Sequence, residues 1–316
     1  MIDYLDEIIG QDIAKRFLRT AIRKDNLYNL LFCGPKGVGK RLTAFSLAKT
    51  LGISINSPDF LLIGPIPSRI KEKQDKIFEY ARRYLPENPV IEIEDRTSIL
   101  IEQIRLAIEH LATMPAKGKK RLVLILEADR MTEEAANSFL KTLEEPPMDT
   151  VFVLTSSRPE SLLPTIRSRC QIVPFYYLTD EQIKEIIFEG RNEFKLGSPG
   201  EILILRENNL FEKAYYIFKT SPLNSAQAAK LSKELEHQRL SDIFYPLLLF
   251  YRLVFYEQQG IKFEKGEYYQ VVAEKARRIP VQKILSTILS LNYSLNLLEQ
   301  NPNHLLLLFN TFMKLP

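Results

Sequence analysis

Cysteine is nearly missing: the 316 residues hold two, Cys33 and Cys170. Two thiols cannot build a disulfide framework or a four-cysteine zinc cluster, and such scarcity is the pattern of a reducing, cytoplasmic compartment. Histidine is almost as rare, and His110, His237 and His304 show no ligand spacing, so no metal is expected. Long hydrophobic runs are missing too. The most apolar stretches, around Tyr245–Tyr256 and His304–Met313, are too short to span a bilayer, and Arg252 interrupts the first. The opening Met1-Ile2-Asp3-Tyr4-Leu5-Asp6 is acidic where a secretory signal would be basic, which argues against one. A strong charge of one sign is also lacking. The formal net charge is +4, and residues 217–316, with 12 Lys+Arg against 8 Asp+Glu, carry all of it. That balance allows contact with nucleic acid without requiring it.

What remains is a globular composition, 45% apolar and 26% charged, on a chain long enough for two or three domains. Its central stretch is Gly34-Pro35-Lys36-Gly37-Val38-Gly39-Lys40-Arg41, with the spacing G-x-x-x-x-G-K. An apolar run, Tyr28 to Cys33, precedes it, and a helix-like stretch, Leu42 to Leu51, follows. Strand, glycine loop and helix in that order are the context of a phosphate-binding loop, whose amides and helix N-terminus face an anion. A working loop places Ser or Thr after the lysine to hold magnesium. Here the position is Arg41.

Further short apolar runs follow at Ser57–Ile63, Leu122–Leu126, Thr150–Leu154 and Gln171–Phe175, with helical patterns between them. One helix is predicted from a cap at Ser98, with Ile101, Ile104, Ile108 and Leu111 inward; another starts at Thr132 and is ended by Pro146-Pro147. A charged amphipathic helix is expected over 67–84. Alternating short strands and helices predict an α/β domain with a parallel sheet and helices on both faces. Beyond Phe175 only helical periodicity continues. We therefore expect three pieces: an α/β domain over 1–176, a small helical lid over 177–220 and an all-helical domain over 221–316.

Several of these residues carry a resemblance. Ile8-Ile9-Gly10-Gln11, the loop, Ser57-Pro58-Asp59-Phe60-Leu61-Leu62-Ile63, the block from Glu127-Ala128-Asp129-Arg130-Met131 to Glu144-Glu145-Pro146-Pro147, and Ser168-Arg169-Cys170 stand in one order over roughly the first 175 residues. In this the chain resembles the AAA+ clamp-loader subunits of bacterial DNA polymerase III, those of delta-prime type most closely. The resemblance implies a P-loop-type α/β domain, a helical lid and a helical C-terminal collar. It also implies a hetero-oligomer with gamma/tau-like and delta-like subunits that loads the sliding clamp onto primed DNA.

ATP hydrolysis on such a site needs magnesium held by a hydroxyl after the loop lysine and by an acid on a central strand. Arg41 replaces the hydroxyl, and Thr43 cannot stand in, because two helical steps turn its side chain about 200° away. Leu126 stands where the strand aspartate would, although Glu127, matching the water-orienting glutamate, remains. The lid arginine of many AAA+ ATPases aligns with Gly200. The expectation is a subunit that does not hydrolyse ATP. Gly34, Gly37, Gly39 and Lys40 could still cradle a phosphate, or Arg41 could close the pocket; nucleotide binding stays open.

The resemblance assigns Arg169 as an arginine finger directed at ATP on an adjacent subunit; a surface ion pair is the plainer alternative. Ser156, at the first sensor position, and Glu127 are read as relics. The four-cysteine zinc module common in such subunits is missing, and the insert at 65–97 takes its place. Lys117, Lys119 and Lys120 are read as a solvated turn, with proximity to nucleic acid as the alternative. Two rivals accompany this reading: an ATP-hydrolysing gamma/tau-like motor of the same loader, and a degenerate AAA+ adaptor outside replication.

Overall fold

The computed structural model describes residues 2–67, 77, 80–87, 97–112, 120–186, 197–263, 265–298 and 302–316. They fall into two compact units, one drawn from 1–188 and 197–201, the other from 202–316. Residues 197–201, read from the sequence as part of the lid, thus group with the α/β unit. Most of the helix expected over 67–84, and Lys117 and Lys119, lie outside the described residues.

The first unit is built on five parallel strands. β1 (Asn29–Cys33), β2 (Phe60–Ile63), β5 (Arg121–Ile125), β6 (Thr150–Ser156) and β7 (Gln171–Pro174) lie in the order β2-β5-β6-β1-β7, and a separate antiparallel pair joins β3 (Ile66–Pro67) to β4 (Thr97–Ser98). Register pairs Leu31 with Leu154 and Val123 with Phe152. Every residue of β5 and β6 is buried, as expected of strands covered on both faces.

On one face, Leu31, Val123, Ile125, Phe152 and Leu154 share a core with two helices, α3 (Ile101–Leu111) and α4 (Glu133–Glu144). Phe139 of α4 meets Phe152 edge-on with ring centroids 5.2 Å apart. Alternate strand residues point the other way. There α1 (Asp12–Arg23) and α2 (Lys40–Thr50) supply Ala14, Leu18, Ala44, Leu47 and Ala48, all at 0% exposure. Two short helices, α5 (Pro164–Arg167) and α6 (Asp180–Ile186), follow, with the first residues of α7 (Pro199–Glu207).

Local chemistry explains most boundaries. Thr132 caps α4 by accepting from the Ala135 amide at 3.2 Å, as expected. The cap of α3 differs from expectation. Ser98 lies in β4, and the helix begins after Leu100, whose amide donates to Gln103 Oε1 at 2.9 Å. A Gln three residues into a helix can reach back to the preceding amide, so no Ser is needed.

The second unit is helical among the described residues: α8 (Phe211–Thr220), α9 (Ser225–Leu235), α10 (Ser241–Gln258), α11 (Tyr269–Arg278), α12 (Val281–Leu297) and α13 (His304–Phe312), with the rest of α7. Its core is aromatic. Phe218 stacks on Phe250 at 4.9 Å, and Tyr215 meets Tyr268 at 4.6 Å, so α8 shares its core with α10 across the expected boundary at 220. Pro246 lies inside α10 and cannot donate to the Asp242 carbonyl one turn back. Asn208 Nδ2 donates to that carbonyl instead, at 2.9 Å. Lys275, 8% exposed, donates to the Ser221 carbonyl at 2.8 Å, and burial pulls its ammonium down to about 8. No helix among the described residues is long and apolar enough to cross a membrane.

Candidate functional site: a glycine loop and an arginine turn

The loop after β1 has the conformation that its glycines predict. Gly37 and Gly39 take φ of 70° and 99°, a region that L side chains rarely adopt. The loop runs into α2 at Lys40, and the Gly34 amide donates to the Ser156 carbonyl at 3.3 Å, fixing the loop to the end of β6. Gly34, Gly37, Gly39, Lys40 and Arg41 all lie between the end of β1 and the first turn of α2. Glu127 stands nearby, after β5.

Two of the loop's three cations, Lys40 and Arg41, are turned onto backbone oxygens, while Lys36 is exposed. Lys40 is 5% exposed, and its Nζ donates to the carbonyls of Gly34 at 2.6 Å and Pro35 at 2.5 Å. Burial lowers its proton affinity, and the carboxylates of Glu127 and Asp129 oppose that shift. Arg41 reaches sideways: its Nη1 donates to the carbonyls of Tyr84 at 2.9 Å and Leu85 at 3.1 Å. Burial pulls the guanidinium down to about 10, so it stays charged at neutral pH. Tyr84, itself 1% exposed, donates from its hydroxyl to the Pro65 carbonyl at 2.6 Å. Arg41 thus joins the start of α2 to Tyr84 and Leu85 within the 65–97 insert.

The acids and hydroxyls around the loop are similarly engaged. Leu126 is 3% exposed in an apolar setting, and Thr43 Oγ1 donates back to the Gly39 carbonyl at 2.9 Å. Glu127, at φ 48°, receives a hydrogen bond from Ser157 Oγ at 3.3 Å. Ser156 is fully buried and accepts from the Arg158 amide at 3.1 Å. Asp129, with no exposed side-chain surface, pairs with Arg158 at 3.2 Å. An aliphatic side chain at the strand end, a guanidinium in place of the hydroxyl and a back-bonded Thr43 do not make a donor set for magnesium. Among the described residues no cluster of His, Cys, Asp and Glu is placed to hold a metal ion.

Gly200 gains a physical reason. Its amide donates to the Gly37 carbonyl at 3.0 Å, and a Cβ placed on it would lie 2.6 Å from the Gly37 Cα. Ser198 Oγ donates to the Lys36 carbonyl at 2.7 Å beside it. A side chain at 200 has no room in this arrangement, so the position expected to hold an arginine requires glycine.

Arg169 lies elsewhere. It follows α5 and precedes β7, whose Gln171 pairs with Leu30 near the start of β1. The loop begins at the other end of β1, about 17 Å further along at roughly 3.3 Å per residue. The side chain is 30% exposed, donates from Nη1 to the Thr165 carbonyl at 2.9 Å, and pairs through Nη2 with Glu144 at the end of α4. Its backbone carbonyl accepts from Asn29 Nδ2 at 3.0 Å. Cys170 beside it packs against the core, and burial pushes its thiol up to about 12, far from a nucleophile's range.

The description "DNA polymerase III, delta subunit" belongs to a family model that matches residues 10–179. The chain belongs to this family. Among curated proteins, subunit delta' of DNA polymerase III from Bacillus subtilis is 36% identical over 180 residues, covering 57% of this chain and 51% of that protein. Subunit gamma from Buchnera aphidicola is 29% identical over 193 residues, covering 60% and 50% respectively. Subunit tau from Escherichia coli is 29% identical over 188 residues, covering 59% and 28%. The match thus spans about half of the first two relatives and less of the third. A solved gamma subunit-related protein from Thermotoga maritima aligns over 95% of this chain and 97% of its own, at 18% identity and a TM-score of 0.45.

Within the delta subunit family match lie the loop, the parallel sheet and the Arg169 turn, so the polymerase III resemblance read from the motifs holds at the family level. Sequence reasoning missed Asn29, Tyr84 and Asp129 as parts of these sites. Asp129 was legible within Glu127-Ala128-Asp129-Arg130-Met131; Asn29 and Tyr84 act through contacts that no local motif signals.

Proposed function

We propose that this chain is a delta-prime-type subunit of a DNA polymerase III clamp loader that does not hydrolyse ATP itself. It presents Arg169 to the nucleotide of an adjacent gamma/tau-like subunit, within a cytoplasmic hetero-oligomer that also holds a delta-like subunit and places the sliding clamp on primed DNA. One observation carries the reading: Lys40 and Arg41, at the positions that would face phosphate and magnesium, are bonded to backbone carbonyls, whereas Arg169 stands partly exposed at the opposite end of β1. An arginine there cannot serve its own loop, so its use as a finger is in trans. A finger of this kind accelerates phosphoryl transfer about 10³- to 10⁵-fold by neutralising charge that develops on the γ-phosphate.

The family membership and the delta' relative support the assignment to the loader. The mismatch of Arg41 and Leu126 to magnesium supports the lack of hydrolysis. Gly37 and Gly39 keep a phosphate-type turn, but Lys40 and Arg41 spend their donors on the fold, and ATP is not required by this reading. Reconstitution of the chain with gamma/tau-like and delta-like partners tests it. Arg169→Ala should strongly depress partner ATPase and clamp loading; unchanged turnover would remove the finger role.

A second reading has a specific basis. Gamma and tau chains match over similar spans, and Lys40 and Glu127 are retained. It is an ATP-hydrolysing motor subunit. Magnesium-dependent turnover by the purified chain, abolished in Lys40→Ala, would put it in place of the first.

A further inference from the structure

Asn29 opens β1, far from any loop motif, and is 5% exposed. Its Nδ2 donates twice, to the Leu143 carbonyl at 2.7 Å and to the Arg169 carbonyl at 3.0 Å. Leu143 directly precedes Glu144, and Glu144 is the carboxylate that pairs with the Arg169 guanidinium. One buried amide therefore ties together the two backbone segments whose side chains meet in that ion pair. The Leu143 carbonyl lies in the last turn of α4, where helix carbonyls have no partner within the helix. The Arg169 carbonyl lies just outside the β1–β7 ladder, which starts at Leu30 and Gln171. Backbone pairing supplies neither contact; the side chain at position 29 does.

The arrangement has a cost. Asn29 Oδ1 is buried and accepts no hydrogen bond among the described residues. An apolar residue at the edge of the core would leave no such unpaired buried group. We propose that Asn29 is a positioning residue for Arg169. It sets the Ser168-Arg169-Cys170 turn against the end of α4, so that the guanidinium is presented in one place between Thr165 and Glu144. This rests on the trans role of Arg169 given above. A preplaced cation stabilises developing charge without reorganising at the moment of reaction, so loss of placement lowers kcat more than it alters ATP binding.

The test uses the full chain reconstituted with its gamma/tau-like and delta-like partners, with steady-state ATPase as the readout. Asn29→Ala is expected to lower the stimulated kcat about tenfold, with the KM for ATP and the assembly seen by gel filtration unchanged. In an Arg169→Ala background the same change should have no further effect, because both act through one group. Asn29→Ser, which can donate to only one carbonyl, should fall between, and it carries the test should Asn29→Ala not fold. Full stimulation by Asn29→Ala beside a defective Arg169→Ala overturns the positioning role and leaves the finger standing. A tenfold loss that persists in the Arg169→Ala background also overturns it, showing support of the fold alone. Unchanged turnover in Arg169→Ala removes the finger and this proposal together.

Discussion

The glycine loop and the arginine turn sit at opposite ends of one strand and differ in the partners they give their cations. At the loop, Lys40 and Arg41 are folded onto carbonyls of Gly34, Pro35, Tyr84 and Leu85. At the turn, Arg169 keeps 30% of its side chain exposed and carries a carboxylate partner that a stronger anion could displace. On the proposed reading, the motif that looks like the chemical centre serves the scaffold, and Arg169 is the charge offered to a partner. The lesson is that a motif's residues have to be followed to their hydrogen-bond partners before a role is assigned.

The largest effect should come from removing the exposed cation. Arg169→Ala is expected to lower partner ATPase in the reconstituted complex by about 10³-fold or more. Lys40→Ala in the same assay should leave that turnover within about twofold, and a comparable loss from both variants would break the contrast. The second prediction carries the contrast into the helical unit, where Lys275 is another cation bonded to backbone. Its folded value of about 8 lies below the ordinary 10.5, so folding releases a proton between those values. Stability should therefore rise with pH from about 8 to 10.5 and be flat, for this group, below 8. The span is at most about 3 kcal/mol. Urea unfolding of the chain and of Lys275→Met across that window should differ by this slope, because all other titrating groups are common to both.

Arg41→Ala comes next. It should cost about 1–3 kcal/mol in urea unfolding, through loss of charged hydrogen bonds to Tyr84 and Leu85, while creating no magnesium-dependent turnover. A stability change near zero would mean that Arg41 does not tether the insert. The smallest effect serves as a control away from both sites: Thr132→Ala should cost about 1 kcal/mol by removing the α4 cap, without altering partner ATPase.

The sheet was largely legible. Runs such as Leu122–Leu126 and Thr150–Leu154 are buried on both faces, and continuous apolar residues signal that directly. The loop was legible because only glycine tolerates the backbone at 37 and 39 without strain. The start of α3 was not, since Gln103 reaches back to the Leu100 amide and removes the need for a capping Ser98. The partners of Arg41 were hidden for a different reason: an arginine at the first turn of a helix can bend toward a phosphate or toward a neighbouring loop, and tertiary contacts decide. Gly200 was legible as a departure from the lid pattern, but its reason, contact with the Gly37 Cα, lies 163 positions away in the chain. Asn29 was invisible because its two acceptors belong to segments more than a hundred residues distant.

The tether made by Arg41 bears on how such a chain can change over generations. A single Arg41→Ser change would remove the bonds to Tyr84 and Leu85 and lower stability, and with Leu126 still at the strand end it would yield no metal site in exchange. A hydroxyl at position 41 is therefore a loss unless position 126 changes with it. The loop and the insert are in this sense bound to change together, because Arg41 joins them.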